Sequence, residues 1–105
     1  MEMRKTELFA QILKTVANET ELTPEQILSC CRTAETVDAR YILVHLLRRE
    51  GMYISEIARM MNFSRRGIEK MLSQFEDRLS QSGHIFKVTF ERIANKVRIA
   101  FESSR

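Results

Sequence analysis

Arg65 and Arg66 stand side by side between Ser64 and Gly67, with Lys70 following about one helical turn later. An arginine can offer its fork of N–H donors to the O6 and N7 acceptors of guanine, while a lysine more readily meets a phosphate. A solvated helix face can carry the same residues with no ligand at all. Here, however, the pair would open a helix, where positive charge opposes the positive end of the helix dipole. An anionic partner would offset that placement. Gly67 has no side chain, which would allow a backbone to approach closely. Glu69 works against a phosphate contact, although a carboxylate can accept from cytosine.

Other chemistry is hard to assemble from this chain. Cys30 and Cys31 are its only cysteines and are adjacent, so neither a disulfide framework nor a thiolate metal cluster is expected. Both read as small buried side chains in a reducing compartment. His45 and His84 are far apart, and His45 reads as a boundary residue of a largely apolar helix. No Ser-His-Asp, Cys-His or paired-carboxylate constellation occurs, nor a glycine loop able to cradle phosphate. No enzymatic activity, cofactor or metal is expected.

A chain of 105 residues suits one domain with a modest core. The hydrophobic fraction of 44 % excludes a disordered chain, and the formal charge of +3 permits a nucleic-acid partner without demanding one. Met1-Glu2-Met3-Arg4-Lys5 leads into no apolar segment, and no run approaches the ~20 residues of a membrane span. The expectation is a cytoplasmic protein with no membrane partner.

The elements that would position the arginine pair can be read from periodicity. Three glycines and one proline interrupt the chain, which favours an all-α fold. A first helix is expected over about Arg4 to Asn18, with Leu8, Ile12, Leu13 and Val16 on one face. That face is also able to pair with a second copy, so a homodimer is compatible with the sequence. Thr23-Pro24-Glu25-Gln26 reads as an N-cap, a first-turn proline and a capping-box glutamine, opening a short helix that ends near Arg32 with Ile27, Leu28 and Cys31 inward. A third helix spans about Thr36 to Glu50, with Val37, Tyr41, Val44 and Leu46 or Leu47 inward. Arg48 and Arg49 occupy its last turn and Gly51 stops it. A fourth runs from about Ile54 to Met61, and a fifth from just after Ser64 to about Gln81. In the fifth, Ile68, Leu72, Phe75 and Leu79 form one stripe, with Leu72 and Phe75 expected beneath the third and fourth helices. The tail reads two ways. Phe86-Lys87-Val88-Thr89-Phe90 and Lys96-Val97-Arg98-Ile99 alternate as strands do. Phe90, Ile93, Ala94, Val97 and Phe101 instead fit a sixth helix over about Thr89 to Glu102, which is favoured over a hairpin.

Residues 54–81 meet the requirements of a helix-turn-helix. Ala58 is small where the second helix crosses the first, Phe63 can plug the turn, Ser64 can cap the second helix, and Ile68 points inward. If Ile68, Leu72 and Phe75 face the core, then Arg65, Arg66, Glu69, Lys70 and Ser73 face outward, with the opening residues nearest to base edges.

Cys31-Arg32, Val37-Asp38-Ala39-Arg40-Tyr41-Ile42-Leu43-Val44-His45-Leu46-Leu47, Ile54-Ser55-Glu56-Ile57-Ala58 and Phe63-Ser64-Arg65-Arg66-Gly67-Ile68 resemble the C-terminal DNA-binding domain of the bacterial replication initiator DnaA. The resemblance covers roughly residues 22–80. It implies a helical fold of the Trp-repressor type, base contacts from the recognition helix and backbone contacts from the loop holding Arg32. It implies sequence-specific binding of double-stranded DNA in replication or transcription control. The candidate DNA-contacting set is Arg32, Arg40, Ser55, Ser64, Arg65, Arg66, Gly67 and Lys70. The family's Arg-Asp-His-Thr-Thr signature is replaced here by Phe63-Ser64-Arg65-Arg66-Gly67, so the initiator box is not the expected target. Nor do these residues include a nucleotide-binding segment of an initiator ATPase. Gly51, Glu56-Ile57-Ala58, Ser64, Ile68 and Arg78-Leu79 also resemble LuxR-type regulators, although Leu22-Thr23-Pro24-Glu25 lies too far before Gly51 for that family. A third reading is an adaptor that keeps the shape but does not bind DNA. The expected organisation is an N-terminal helix (1–20), the helix-turn-helix domain (21–82) and a C-terminal extension (83–105) packing on the domain or on a partner.

Overall fold

The computed structural model describes residues 4–29, 33–81 and 83–103. Among them all regular structure is helical, in six helices with no strand. These are α1 (Lys5–Thr20), α2 (Pro24–Leu28), α3 (Ala34–Arg49), α4 (Ile54–Met61), α5 (Arg65–Gln81) and α6 (Gly83–Ser103).

Local signals fix most of the boundaries. α1 ends where Glu21 takes the left-handed conformation, φ 60°, and its N–H bonds Ala17 O. At α2 the Thr23 side chain accepts from the Gln26 N–H (3.1 Å) while Gln26 Oε1 accepts from the Thr23 N–H (2.8 Å). This is the reciprocal capping box expected from the sequence. α2 closes at Leu28, earlier than expected; the Cys30, Cys31 and Arg32 readings lie outside the described residues. α3 begins two residues before its expected start because Thr33, rather than a later residue, caps it: Thr33 Oγ1 accepts from the Thr36 N–H. Gly51 follows at φ 98°, a conformation open to glycine and strained for other residues.

α3 is the central strut. It packs against α1, α2, α4, α5 and α6, and Ala39, Ile42, Leu43, Val44, Leu46 and Leu47 are buried along it. Val37 and Tyr41, expected inward, are half-buried at its edge. The apolar face of α1 is used inside the domain: Ile12 and Val16 are fully buried, with α3 and α6 as neighbours. It is therefore not an open dimer face.

α6 departs most from expectation. It starts at Gly83 rather than near Thr89, and the stretch 86–90 is helical. Phe86, Ile93 and Val97 are buried and Phe90 is half-buried, at spacings of four, three and four. A strand would have put Phe86, Val88 and Phe90 on one face; Val88 instead points outward.

α5 meets α3 and α6 through an aromatic cluster. The His45 ring stacks on Phe75 with centroids 3.9 Å apart and 9° between planes, and Phe90 stands edge-on to both. Phe75 is buried as expected; Leu72 is only half-buried, because Met71 and Leu72 share the flank of the stripe. Burial holds the His45 imidazole below its ordinary value of 6.5, with Arg49 adding to the effect and Glu76 opposing it. The unfolded chain thus takes up a proton near pH 6.5 that the folded chain does not. Stability supplied by neutral His45 is complete above that pH and declines as pH falls through the lowered folded value. Between about pH 7 and about pH 5, the unfolding midpoint should fall further for the wild type than for His45→Phe. Parallel declines for the two proteins would remove this role from His45. Glu19 and Glu56 are also shifted, but downward from 4.5, below this window.

Candidate nucleic-acid interface

α4, the turn at residues 62–64 and α5 form one packed unit. Ile57, Ala58 and Met61 of α4 are buried with Ile68 of α5 in the common core. Asn62 turns the chain by adopting φ 59°, and the Phe63 N–H bonds back to Ala58 O at 2.9 Å. Phe63 packs half-buried against the core. Ser64 then caps α5: its Oγ accepts from the Gly67 N–H at 3.0 Å.

The face opposite this packing carries the expected residues. Arg65, Arg66, Glu69, Lys70 and Ser73 are exposed. Arg65, Arg66 and Lys70 make no ion pair within the described residues. Elsewhere Lys5, Arg78, Arg92 and Lys96 each hold a carboxylate. The first turns of α1, α2, α3 and α4 contain Glu7, Glu25, Glu35 and Glu56, as the dipole favours, whereas that of α5 contains no acidic residue and two arginines. The opening of α5 is thus an exposed concentration of positive charge and unpaired donors.

Gly67 has a local role. A Cβ there would lie 3.2 Å from Ser64 Oγ, so a side chain would crowd the cap. Ser55 is exposed in the first turn of α4, and Ser64 is exposed while its hydroxyl is engaged in capping.

Arg40 is placed differently. It is only 6 % exposed. Its Nε donates to Ile27 O at 2.6 Å and its Nη2 to Ser29 O, while the guanidinium lies 5.8 Å from the Phe63 ring centroid. These bonds satisfy carbonyls at the end of α2, where positive charge complements the helix dipole. Arg40 ties α2 to α3 and braces the turn before α5; in this arrangement it is a positioning residue. Arg32 lies outside the described residues.

Two further clamps orient the unit, and neither was identified from sequence. Arg78 reaches Asp38 Oδ1 through Nε (2.8 Å) and Nη2 (2.6 Å), lies 4.6 Å from the Tyr41 ring centroid, and locks α5 to α3. Tyr41 donates to Gln74 Oε1 at 2.9 Å on the same seam. At the start of α4, Glu56 accepts from the Tyr53 N–H (3.0 Å) and pairs with Lys5 of α1 (2.7 Å). The Lys5 hydrogen bond, then the Tyr53 N–H, lowers the Glu56 pKa. Arg78 was legible only as part of a family pattern, and the Lys5–Glu56 pair spans 51 residues without any local signal.

Among the described residues no group of three or more metal-ligating side chains comes together, and no helix is long and apolar enough to cross a membrane. No protein-family model, curated protein or solved structure matches this chain.

Proposed function

We propose that this chain binds double-stranded DNA through α4 and α5, with the opening turn of α5 entering the major groove. The observation that carries this reading is the exposed, unpaired Arg65-Arg66 and Lys70 at the start of a helix whose other face is locked into the core. Arg65 and Arg66 read base edges; Lys70 contacts phosphate and positions the helix. Ser55, at the start of α4, is placed to meet the backbone, as the first helix of such a unit crosses it. The resemblance to the DnaA C-terminal domain supports a role in replication or transcription control, with a target other than the initiator box. The LuxR-like reading leads to the same interface.

Selection from a random duplex pool at two salt concentrations tests the proposal. One sequence class should be enriched at low salt, and affinity should fall linearly in log–log form as salt rises, with a slope of roughly −0.9 per phosphate neutralised. Failure to bind any duplex at low salt would instead support the adaptor reading, in which Glu69 on the same face repels the phosphates.

A further inference from the structure

Three of the four large apolar side chains that stand exposed among the described residues lie on one helix: Ile85 at 80 %, Val88 at 40 % and Ile99 at 49 %. They belong to α6, whose opposite face, Phe86, Phe90, Ile93 and Val97, packs on the domain's own core. At 3.6 residues per turn, positions 85, 88, 92, 95 and 99 fall in one line, at spacings of three, four, three and four. That is the seam of a two-helix coiled coil, here reading Ile, Val, Arg, Asn, Ile. The uncovered line thus has apolar side chains toward both ends and Arg92 and Asn95 in its middle.

We infer that this stripe pairs with the same stripe of a second copy, antiparallel, about a twofold axis near residues 93 and 94. The pattern is complementary to itself in that register. Val88 meets Ile99 of the second copy, and Arg92 meets Asn95 of the second copy; the twofold repeats both layers, and Ile85 lies beyond them at each end. Beside the seam Glu91 faces Arg98 of the second copy, an attractive pair that also occurs twice. Arg92 is suited to a place near the axis. Glu19, 3.0 Å from its Nε and shared with Lys96, offsets part of its charge and holds the guanidinium toward α1, away from its counterpart across the axis. Asn95 Oδ1 accepts from Arg98 of its own helix at 2.6 Å and keeps its amide N–H donors for the facing helix. A parallel pairing would instead stack Arg92 on Arg92 and Asn95 on Asn95 in the seam, and would turn Glu91 toward Lys96 of the second copy, which Glu19 already engages. The interface is isologous, as a closed dimer requires. Its four layers fall short of a standard interface of roughly 1,600 Å², so the dimer is expected to be weak and concentration-dependent.

Sedimentation of the full chain from about 10 µM to about 1 mM tests this independently of DNA binding. The wild type should shift from monomer to dimer. Ile99→Glu, which changes an exposed position, should remain monomeric with an unaltered far-ultraviolet circular dichroism spectrum. Glu91→Arg and Arg98→Glu should each weaken dimerisation several-fold, to about tenfold, and the double exchange should restore it. A wild type that is monomeric throughout would overturn the inference and leave a different protein as the partner of the stripe. A dimer indifferent to Ile99→Glu would place the interface elsewhere. A dimer lost in Ile99→Glu but indifferent to the single charge exchanges, or weakened by them and not restored by the double exchange, would overturn the antiparallel register.

Discussion

Replacing Phe75 by alanine is expected to destabilise the fold by about 3–5 kcal/mol. Phe75 is buried where three helices meet, stacked on His45 of α3 and in contact with Phe86 and Phe90 of α6. Truncation would remove the transfer free energy of a ring and leave a cavity that helices held from several sides cannot readily close. It would also remove aromatic contacts beyond simple area burial. Leu72, one turn earlier, is half-buried, and its truncation should cost less. Urea unfolding of the two variants compares them directly. Equal losses would mean that α5 is rotated away from the register described, and with it the outward direction of Arg65 and Arg66.

Arg40→Met is expected to cost about 2–4 kcal/mol, although it substitutes a flexible apolar chain for a largely apolar stem. The loss comes chiefly from the Ile27 carbonyl, which accepts the buried Nε bond, and the bond to the part-buried Ser29 carbonyl goes with it. An unpaired buried acceptor costs more than the net value of the bond it lost. The same variant separates two roles for this residue. If Arg40 positions α2 and the turn, Arg40→Met lowers the unfolding midpoint while the folded protein keeps its affinity for duplex within about threefold. A large loss of affinity with unchanged stability would return Arg40 to the DNA-contacting set.

The contrast between these residues indicates what the sequence can convey. Thr23, Gln26 and Ser64 act on backbone groups three residues away, so their pattern is sufficient to place a helix start. The outward face of α5 follows from the period of Ile68 and Phe75 alone. Arg40 could not be assigned this way. Its partners lie 11 and 13 residues back, and an arginine on a helix looks the same in sequence whether it meets a phosphate or a buried carbonyl. α6 was ambiguous for a different reason. With apolar residues on two faces of one helix, the sum of the two stripes mimics the alternation of a strand over short windows, as at Phe86, Val88 and Phe90. The clamps Lys5–Glu56, Arg78–Asp38 and Glu19 with Arg92 and Lys96 each join helices that only the tertiary fold brings together.

The claim that the opening of α5 reads DNA is tested most directly by titrating wild type, Arg65→Ala, Arg66→Ala and Lys70→Ala against a selected duplex and a scrambled one. These side chains are exposed and unpaired within the domain, so the folds should be unaffected. Losing a base-reading arginine should cost ~1–3 kcal/mol on the selected duplex and much less on the scrambled one, narrowing the gap between them. Losing Lys70 should weaken both about equally and lower the salt slope by roughly one. If neither arginine variant changes affinity for the selected duplex or the gap to the scrambled one, α5 is not the reader and the account of its opening turn is contradicted.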